Sequence, residues 1–551
     1  MPKIAQLIGG AGTGKTSELL RLMESVLEKL FDPHLIGFCS FTRAARREAS
    51  SRAADRFNLK PRDLEDGGWF KTLHAIAYRC LGAGKELLTG NAADRLWLQE
   101  SLQEDVAASS DSIEQDLADP FGADSTDAGT ALMIWDVARN RLLPYDEVWR
   151  QVDEFADRTP DLAFCQEVVD RYEQSKRLDH RVDFTDLLAR FAGYRLSPAG
   201  AEPCEPDGQP PDLPCWFIDE SQDTSPLAHA VQLRLIAQPA VQWVYVAADP
   251  FQSLYTWAGA DPQCFLTGFG PTAKRRTMPK SYRCPGPILA LGEAILRECS
   301  DYFDRKIAPA DHEGIVESMS LEEGLAEIDP REDWLVLTRT NLLASRVARA
   351  LDEDDTPWLP MRGGGTWNAP VRGEAIAALT TLEAGSPIDG REWQSILKFL
   401  PTKIPAGPLL EHGTKARFAA MSREQAQADY PWMFTADLLT VGATPLFVKE
   451  NQDFRSWIPG ALVYTGAVAR WGQEAVDKPG VRIGTVHSAK GAEADNVAVL
   501  TTIPLLCYRA AQSDEGFDAE QRVKYVAVTR ARKRVVILHE ANPRYRWRME
   551  G

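Results

Sequence analysis

Gly9-Gly10-Ala11-Gly12-Thr13-Gly14-Lys15-Thr16 fits the pattern G-x-x-x-x-G-K-[ST] in full. The glycines let the backbone curl until its N–H groups converge on a phosphate. Lys15 has the reach for the β- and γ-phosphates, and the Thr16 hydroxyl suits Mg2+. The apolar run ending at Ile8 reads as a strand and the segment after Thr16 as a helix, whose N-terminal end adds positive potential. A glycine-rich surface loop can match by chance. This one sits between a strand and a helix, as its mechanism requires, so it marks a nucleoside triphosphate site on an α/β scaffold.

The same alternation continues outward. Leu35-Ile36-Gly37-Phe38-Cys39 is short enough for a buried strand, and Thr42 stands where a helix N-cap belongs. Strand-then-helix order implies a parallel sheet with crossover helices. Glu100 to Thr130 holds nine acidic residues and no lysine or arginine, the pattern of a solvated surface segment. Helical patterning resumes at Ala131 and runs to about Leu178, which makes 91–180 a helical insertion. Ser197 to Pro214, with six prolines, reads as a loop. Further strands are expected at Cys215–Ile218, Trp243–Ala247, Trp334–Leu337, Val481–Thr485 and Val535–Leu538, so the chain carries two α/β halves. No short repeat is visible.

Composition bounds the reading. At 551 residues the prior is three to four domains. With 44% hydrophobic and 26% charged residues the chain is neither fibrous nor wholly disordered. A net charge of −17 and a pI near 5.1 argue against a general polycation, though not against a local basic groove. Nine cysteines without a C-x-x-C pair fit a reducing compartment. No apolar run suits a bilayer, and the N-terminal residues pass straight into the first strand, so a cytoplasmic protein without a signal peptide is expected.

Asp219-Glu220, at the end of the Cys215–Ile218 strand, supply the acidic half of the site. One carboxylate can hold the metal while its neighbour orients and deprotonates the attacking water. Asp183 and Asp186 resemble metal ligands, but helix capping and packing explains them better. Hydrolysis also needs positive charge beyond the γ-phosphate, and Arg283 and Arg530 stand out. By residue chemistry alone, a surface salt bridge is the better reading of either.

Together these segments resemble superfamily 1A DNA helicases of the UvrD/Rep/PcrA type. Phe41-Thr42-Arg43-Ala44-Ala45 is similar to motif Ia and Thr72-Leu73-His74-Ala75 to motif Ib. Asp219 to Asp223 resembles motif II, Asp249 to Ala260 motif III, and Tyr282-Arg283 motif IV. Thr485 to Glu493 resembles motif V and Tyr525 to Ala531 motif VI. These matches run in family order from residue 9 to 531. The resemblance implies two RecA-like domains, 1–90 with 181–275 and 276–360 with 476–551. It also implies a helical insertion at 91–180 and a reduced one at 361–475. By the same resemblance ATP binds Gly9 to Thr16, Tyr282 stacks on the base and Glu493 contacts the ribose. Thr16 and Asp219 hold Mg2+, Lys15, Asp219, Glu220 and Gln252 serve hydrolysis, and Arg283 and Arg530 act as arginine fingers. Phe41, Arg43, Thr72, His74, Tyr255, Trp257, Thr485 and His487 contact DNA.

Three departures from the family accompany the match. Too few residues precede the first strand to hold the glutamine-bearing adenine motif, so relaxed base selectivity is expected. Ala258 stands where an arginine is usual. The stretch before motif V is short, and with it the second insertion.

The nucleic-acid side needs a local basic track. Candidates are Arg43, Arg46 and Arg47 on one helix face, then Lys274, Arg275, Arg276 and Lys280, and the run Arg532, Lys533, Arg534, Arg544, Arg546 and Arg548. Trp257 is the favoured stacking platform for a base. The expected activity is ATP-driven translocation on single-stranded DNA and unwinding of tailed or forked duplexes, with the motif V form implying 3′→5′ polarity. The alternative is a DNA-stimulated ATPase subunit serving a separate nuclease or repair partner. The chain ends soon after motif VI, which argues against a fused nuclease. A plain P-loop kinase or GTPase leaves the motifs after residue 250 unexplained.

Overall fold

The computed structural model describes residues 2–40, 43–82, 87–102, 126–154, 159–361, 370–404, 407–408, 410, 412–432, 457–458 and 461–549. Most of the acidic segment and the Thr42 cap lie outside them. The strands, in chain order, are β1 (Lys3–Ile8), β2 (Ile36–Ser40), β3 (Trp69–Lys71), β4 (Tyr194–Ser197), β5 (Gly200–Pro203), β6 (Cys215–Asp219), β7 (Trp243–Ala248) and β8 (Lys274–Thr277). They continue with β9 (Ile315–Ser320), β10 (Trp334–Thr338), β11 (Leu359–Pro360), β12 (Lys403–Ile404), β13 (Gly407–Pro408), β14 (Val481–Thr485), β15 (Ala494–Leu500) and β16 (Ala531–His539).

Two six-stranded sheets result, ordered β3-β2-β6-β7-β1-β8 and β11-β14-β10-β15-β16-β9. Every pairing in both is parallel, as the strand–helix alternation implies. Helices cover both faces, so β2, β6 and β10 are buried along their whole length and read as unbroken apolar runs. Register brings the functional strand ends level: Ile8 pairs with Ala248, Ile218 with Val246 and Ser40 with Asp219. The phosphate loop, the acidic pair and Asp249 therefore leave the first sheet along one edge, at the carboxyl ends of its strands. A single buried cluster then joins Ala11, Phe251 and Leu254 to Cys284, Ile288, Tyr525 and Val528 of the second half.

Three local expectations are corrected. Residues 204–214 are irregular as read, but the start of the 197–214 stretch is not. Ser197 to Gly200 turns a hairpin, β4 against antiparallel β5, whose exposed edge tolerates Pro203 at its end. Helical structure resumes at Asp127 rather than Ala131, because the Thr126 hydroxyl accepts the Gly129 N–H and caps the helix Asp127–Arg141. Finally, β3, β8, β9 and β15 add to the strands read from sequence. The stretch 361–475, of weak periodicity, has a core of its own in which Ile376, Leu379, Trp393, Ile396 and Phe418 pack together. Among the described residues no helix is long and apolar enough to cross a membrane.

Asp183 and Asp186 form a capping box at the helix Phe184–Ala192, each side chain accepting the other's backbone N–H. With Glu173 their carboxylates come close enough to hold a cation. The cations are already in the chain: Arg139 reaches Asp183 at 2.6 Å, and Lys176 lies 2.9 Å from Asp183 and 2.7 Å from Asp186. Burial opposes ionisation of Asp183, but Arg139 and Lys176 outweigh it and hold the carboxyl well below the usual range. Removing one partner of such a network strands the others in low dielectric. Asp183→Ala is therefore expected to cost about 3–5 kcal/mol in urea denaturation, and any Tm response to Mg2+ is expected to be the same in this variant as in wild type. A Mg2+-dependent rise in Tm that is lost in Asp183→Ala would restore the ligand reading.

Candidate nucleotide site and nucleic-acid track

The phosphate loop turns between β1 and the helix Lys15–Leu30. Gly14 caps that helix at φ 76°, and Gly12 lies at φ 66°, both in the left-handed region that favours glycine. At Gly12 there is a second reason: a Cβ would sit 2.3 Å from Arg283 Cβ. The segment carrying Tyr282 and Arg283 thus lies directly on the loop. Tyr282 N–H donates to the Gly12 carbonyl at 2.8 Å and the Ser281 hydroxyl to the Ala11 carbonyl at 2.8 Å. Within the loop, the Thr13 hydroxyl donates to the Gly10 carbonyl at 3.0 Å and Lys15 Nζ to the same oxygen at 3.1 Å. Burial lowers the Lys15 pKa, against the pull of Asp249, Glu220 and Asp219.

Beside the loop, the Thr16 hydroxyl donates to Asp219 Oδ2 at 2.9 Å. Burial and the neighbouring Glu220 push the Asp219 carboxyl up to about 7. Burial acts on Glu220 too, but Lys490 and Lys15 prevail and its pKa is lowered. The pair is thereby split, with Glu220 the ionised member and Asp219 the one whose charge lacks compensation. A hydroxyl and an undercompensated carboxylate side by side are the donor set that a divalent cation suits, so these residues fit Mg2+. Glu220 is held at φ 54°, rare for a residue with a side chain, and Gln222 Nε2 donates to its carboxylate.

The remaining groups converge from both sheets. Gln252 Nε2 donates to Asp249 Oδ2 at 2.8 Å, and Gln252 Oε1 accepts from Arg530 Nη2 at 3.1 Å. Arg530 is 2% exposed, and burial together with Arg283 lowers its pKa to about 10, so it stays cationic at neutral pH. Arg283 donates to Glu493 Oε2 at 2.6 Å and to the Thr529 carbonyl at 3.3 Å. Glu493 also accepts from Arg532 at 3.0 Å, so the carboxylate expected at the ribose is held between two arginines. Tyr282 is 71% exposed and leaves a ring face open to a base.

The expected nucleic-acid residues are less alike. Phe41 lies outside the described residues, as does the side chain of Arg43. Trp257 and Tyr255 are half-buried, Trp257 on the short turn Thr256–Ala258. His74 is exposed, with its ring edge-on to Phe184 at 5.7 Å. The Thr72 hydroxyl accepts from Ala75 N–H and caps a helix, and the fully buried Thr485 hydroxyl accepts from Ser488 N–H and closes a turn. His487 is buried with its ring 6.3 Å from that of Tyr255, and burial, Arg339 and Lys490 keep it neutral. Several cations of the basic clusters are paired with acids: Arg46 with Glu65, Arg276 with Glu18, Lys280 with Asp311, and Arg532, Lys533 and Arg534 with Asp333, Asp495 and Glu317 among others.

Sequence reasoning missed three residues at this junction. Lys490 pairs with Asp223, donates to the Gln252 carbonyl at 3.0 Å and lies 5.0 Å from the Tyr255 ring. Its place inside motif V was the available signal. The Tyr525 hydroxyl accepts from Ala11 N–H at 3.0 Å and donates to Asp249 at 3.2 Å. Arg305, in a segment without a motif, had no signal.

Comparison with known proteins agrees with this geometry. Residues 2–269 match the UvrD/REP helicase N-terminal domain and residues 469–541 the UvrD-like helicase C-terminal domain, together more than half of the chain. A putative ATP-dependent DNA helicase, YjcD of Bacillus subtilis, is 22% identical over 613 aligned positions, covering 98% of this chain and 77% of that protein. The ATP-dependent DNA helicase PcrA of Leuconostoc citreum is 24% identical, covering 65% of this chain and 48% of its own length. For the ATP-dependent DNA helicase Rep of Buchnera aphidicola the figures are 23%, 61% and 47%. The chain thus spans about half the length of these PcrA and Rep relatives. With a phosphate loop and acidic pair on one parallel sheet, arginines meeting them from a second, and both domain matches in that order, the chain belongs to the UvrD/Rep family of superfamily 1 helicases.

Proposed function

We propose that the protein is an ATP-dependent DNA helicase that moves along single-stranded DNA in the 3′→5′ direction and opens tailed or forked duplexes. The observation that carries this is the Gln252–Arg530 hydrogen bond: it brings a γ-phosphate sensor on the first sheet against an arginine on the second. The relatives named as ATP-dependent DNA helicases support the same reading, and the polarity rests on the motif V resemblance. In domain terms, 1–90 with 181–275 and 276–360 with 476–551 are the two motors, and 91–180 and 361–475 the insertions.

In this reading Gly9 to Thr16 wrap the phosphates and Lys15 balances the β- and γ-phosphate charge. Thr16 and Asp219 would hold Mg2+, which would supply Lewis-acid charge to the phosphates. Glu220, ionised and rigidly placed, takes a proton from the attacking water. Arg283 leaves Glu493 for the phosphates, and Arg530 meets the charge that develops on the transferred group. Closure then repeats with each turnover, and Tyr255, Trp257 and His487 at the same junction pass the movement to stacked bases.

Labelled duplexes bearing 3′ or 5′ single-stranded tails test the whole reading, with Lys15→Ala as control. Strand separation from 3′ tails, dependent on ATP and Lys15, is expected. DNA-stimulated hydrolysis without separation would overturn the helicase assignment, and opening from 5′ tails alone would overturn the polarity. Trp257→Ala is expected to keep basal ATPase and to raise the DNA concentration for half-stimulation roughly tenfold, the size of a lost base stack. Unaltered stimulation would remove Trp257 from the track.

Asp219 gives a pH test. Its folded value of about 7 lies above the ~3.9 of a free aspartate. Between those values the folded protein keeps a proton that the unfolded chain has released, so this site's contribution to nucleotide-free stability falls as pH rises. Asp219→Asn lacks that slope. Its Tm advantage over wild type should grow from about pH 4 to about pH 7 and then level off; a constant difference would count against the assignment.

A further inference from the structure

Arg305 lies between the helix Gly286–Leu296 and β9, and its side chain has no exposure to solvent. Its Nη1 donates to Asp249 Oδ1 at 2.7 Å and to the Tyr525 hydroxyl at 3.3 Å, and its Nη2 to Glu293 Oε1 at 2.5 Å. The guanidinium sits 4.8 Å from the Phe251 ring and 5.2 Å from the Tyr525 ring. An arginine this deeply placed is costly unless its partners need it.

The partner that needs it is Asp249, also without exposure. Asp249 Oδ1 further accepts from Phe251 N–H at 3.2 Å, and Oδ2 from Gln252 Nε2 at 2.8 Å and the Tyr525 hydroxyl at 3.2 Å. An ionised carboxylate only accepts, so it draws the NH2 end of the Gln252 amide toward itself. That leaves Gln252 Oε1 facing Arg530, the orientation in which donor meets acceptor. With the amide reversed, two donors would face each other.

We propose that Arg305 is a positioning residue for nucleotide hydrolysis: by compensating the buried Asp249 carboxylate it fixes the Gln252 amide, and through it Arg530, at the γ-phosphate side of the site. This rests on the reading of the chain as an ATP hydrolase. With no exposed side-chain surface, Arg305 has nothing to offer a ligand directly, so its loss should act on turnover and spare ground-state binding.

The test measures single-stranded-DNA-stimulated ATP hydrolysis and, separately, equilibrium binding of a fluorescent non-hydrolysable ATP analogue. Wild type, Lys15→Ala, Arg305→Met and Arg305→Lys are compared, each with its Tm. Arg305→Met is expected to lower kcat at least about tenfold while analogue Kd changes less than about threefold, and Arg305→Lys to recover much of kcat by restoring the charge. If Arg305→Met fails to fold, Arg305→Met combined with Asp249→Asn removes both charges, and the same split is expected of it. A kcat near wild type in a folded Arg305→Met protein overturns the proposal. So does a parallel loss of kcat and affinity that follows Tm and is not relieved by lysine. Wild type without Lys15-dependent hydrolysis overturns the hydrolase reading itself, a result distinct from either.

Discussion

A carboxylate taken wholly out of water costs several kcal/mol to ionise, about as much as a small domain has to spare, unless donors surround it. Asp249 is in that position, and its donors come from Phe251 and Gln252 on one side and Arg305 and Tyr525 on the other. Satisfying one side chain therefore requires the two parallel sheets to meet. Tyr525 extends the requirement to the Ala11 amide in the phosphate loop, and Gln252 extends it to Arg530. The nucleotide site is assembled around this single charge, and the apolar cluster of Ala11, Phe251, Leu254 and Val528 closes over it.

The second sheet contributes to both sites because of how one segment crosses it. β14 ends at Thr485 and β15 begins at Ala494, and with both paired in parallel to β10 those points lie at opposite edges of the sheet. A five-residue strand spans roughly 16 Å, so residues 486–493 must run back over that distance. His487 leaves the segment beside Tyr255, Lys490 meets Asp223 and Gln252, and Glu493 reaches Arg283. One segment thus joins groups beside the nucleotide site to groups beside Tyr255 without any intermediate element. Its Lys490 also helps keep Glu220 ionised, which ties the acidic pair to the same segment.

Much of this was legible in the sequence because the relevant signals are local. The phosphate loop, the acidic pair and the strands β2, β6, β7, β10 and β14 announce themselves within a few neighbouring residues. β8 escaped notice because Lys274-Arg275-Arg276-Thr277 is a wholly exposed edge strand with no apolar run to mark it. β15 carries Ala494-Asp495-Asn496 at its start, where polar residues mask the strand until the sheet buries its remainder. Arg305 was illegible for a deeper reason. Its partners Asp249, Glu293 and Tyr525 lie 56, 12 and 220 residues away, and only the fold brings them together. Conversely, Thr72 and Thr485 stood within matching motifs, yet the structure spends their hydroxyls on a helix cap and a turn.

The charge of −17 acquires a structural meaning from the ion pairs. Some of the arginines that look like a strand path in the sequence are answered by nearby acids, as Arg532 is by Asp333, Glu493 and Asp495. A phosphate must then displace a carboxylate from each such cation, and the net gain per contact falls well below that of an unpaired arginine. The turn carrying Tyr255 and Trp257 leaves the same strand end as Asp249, so one short stretch of backbone joins the aromatic pair to the buried charge at the nucleotide site.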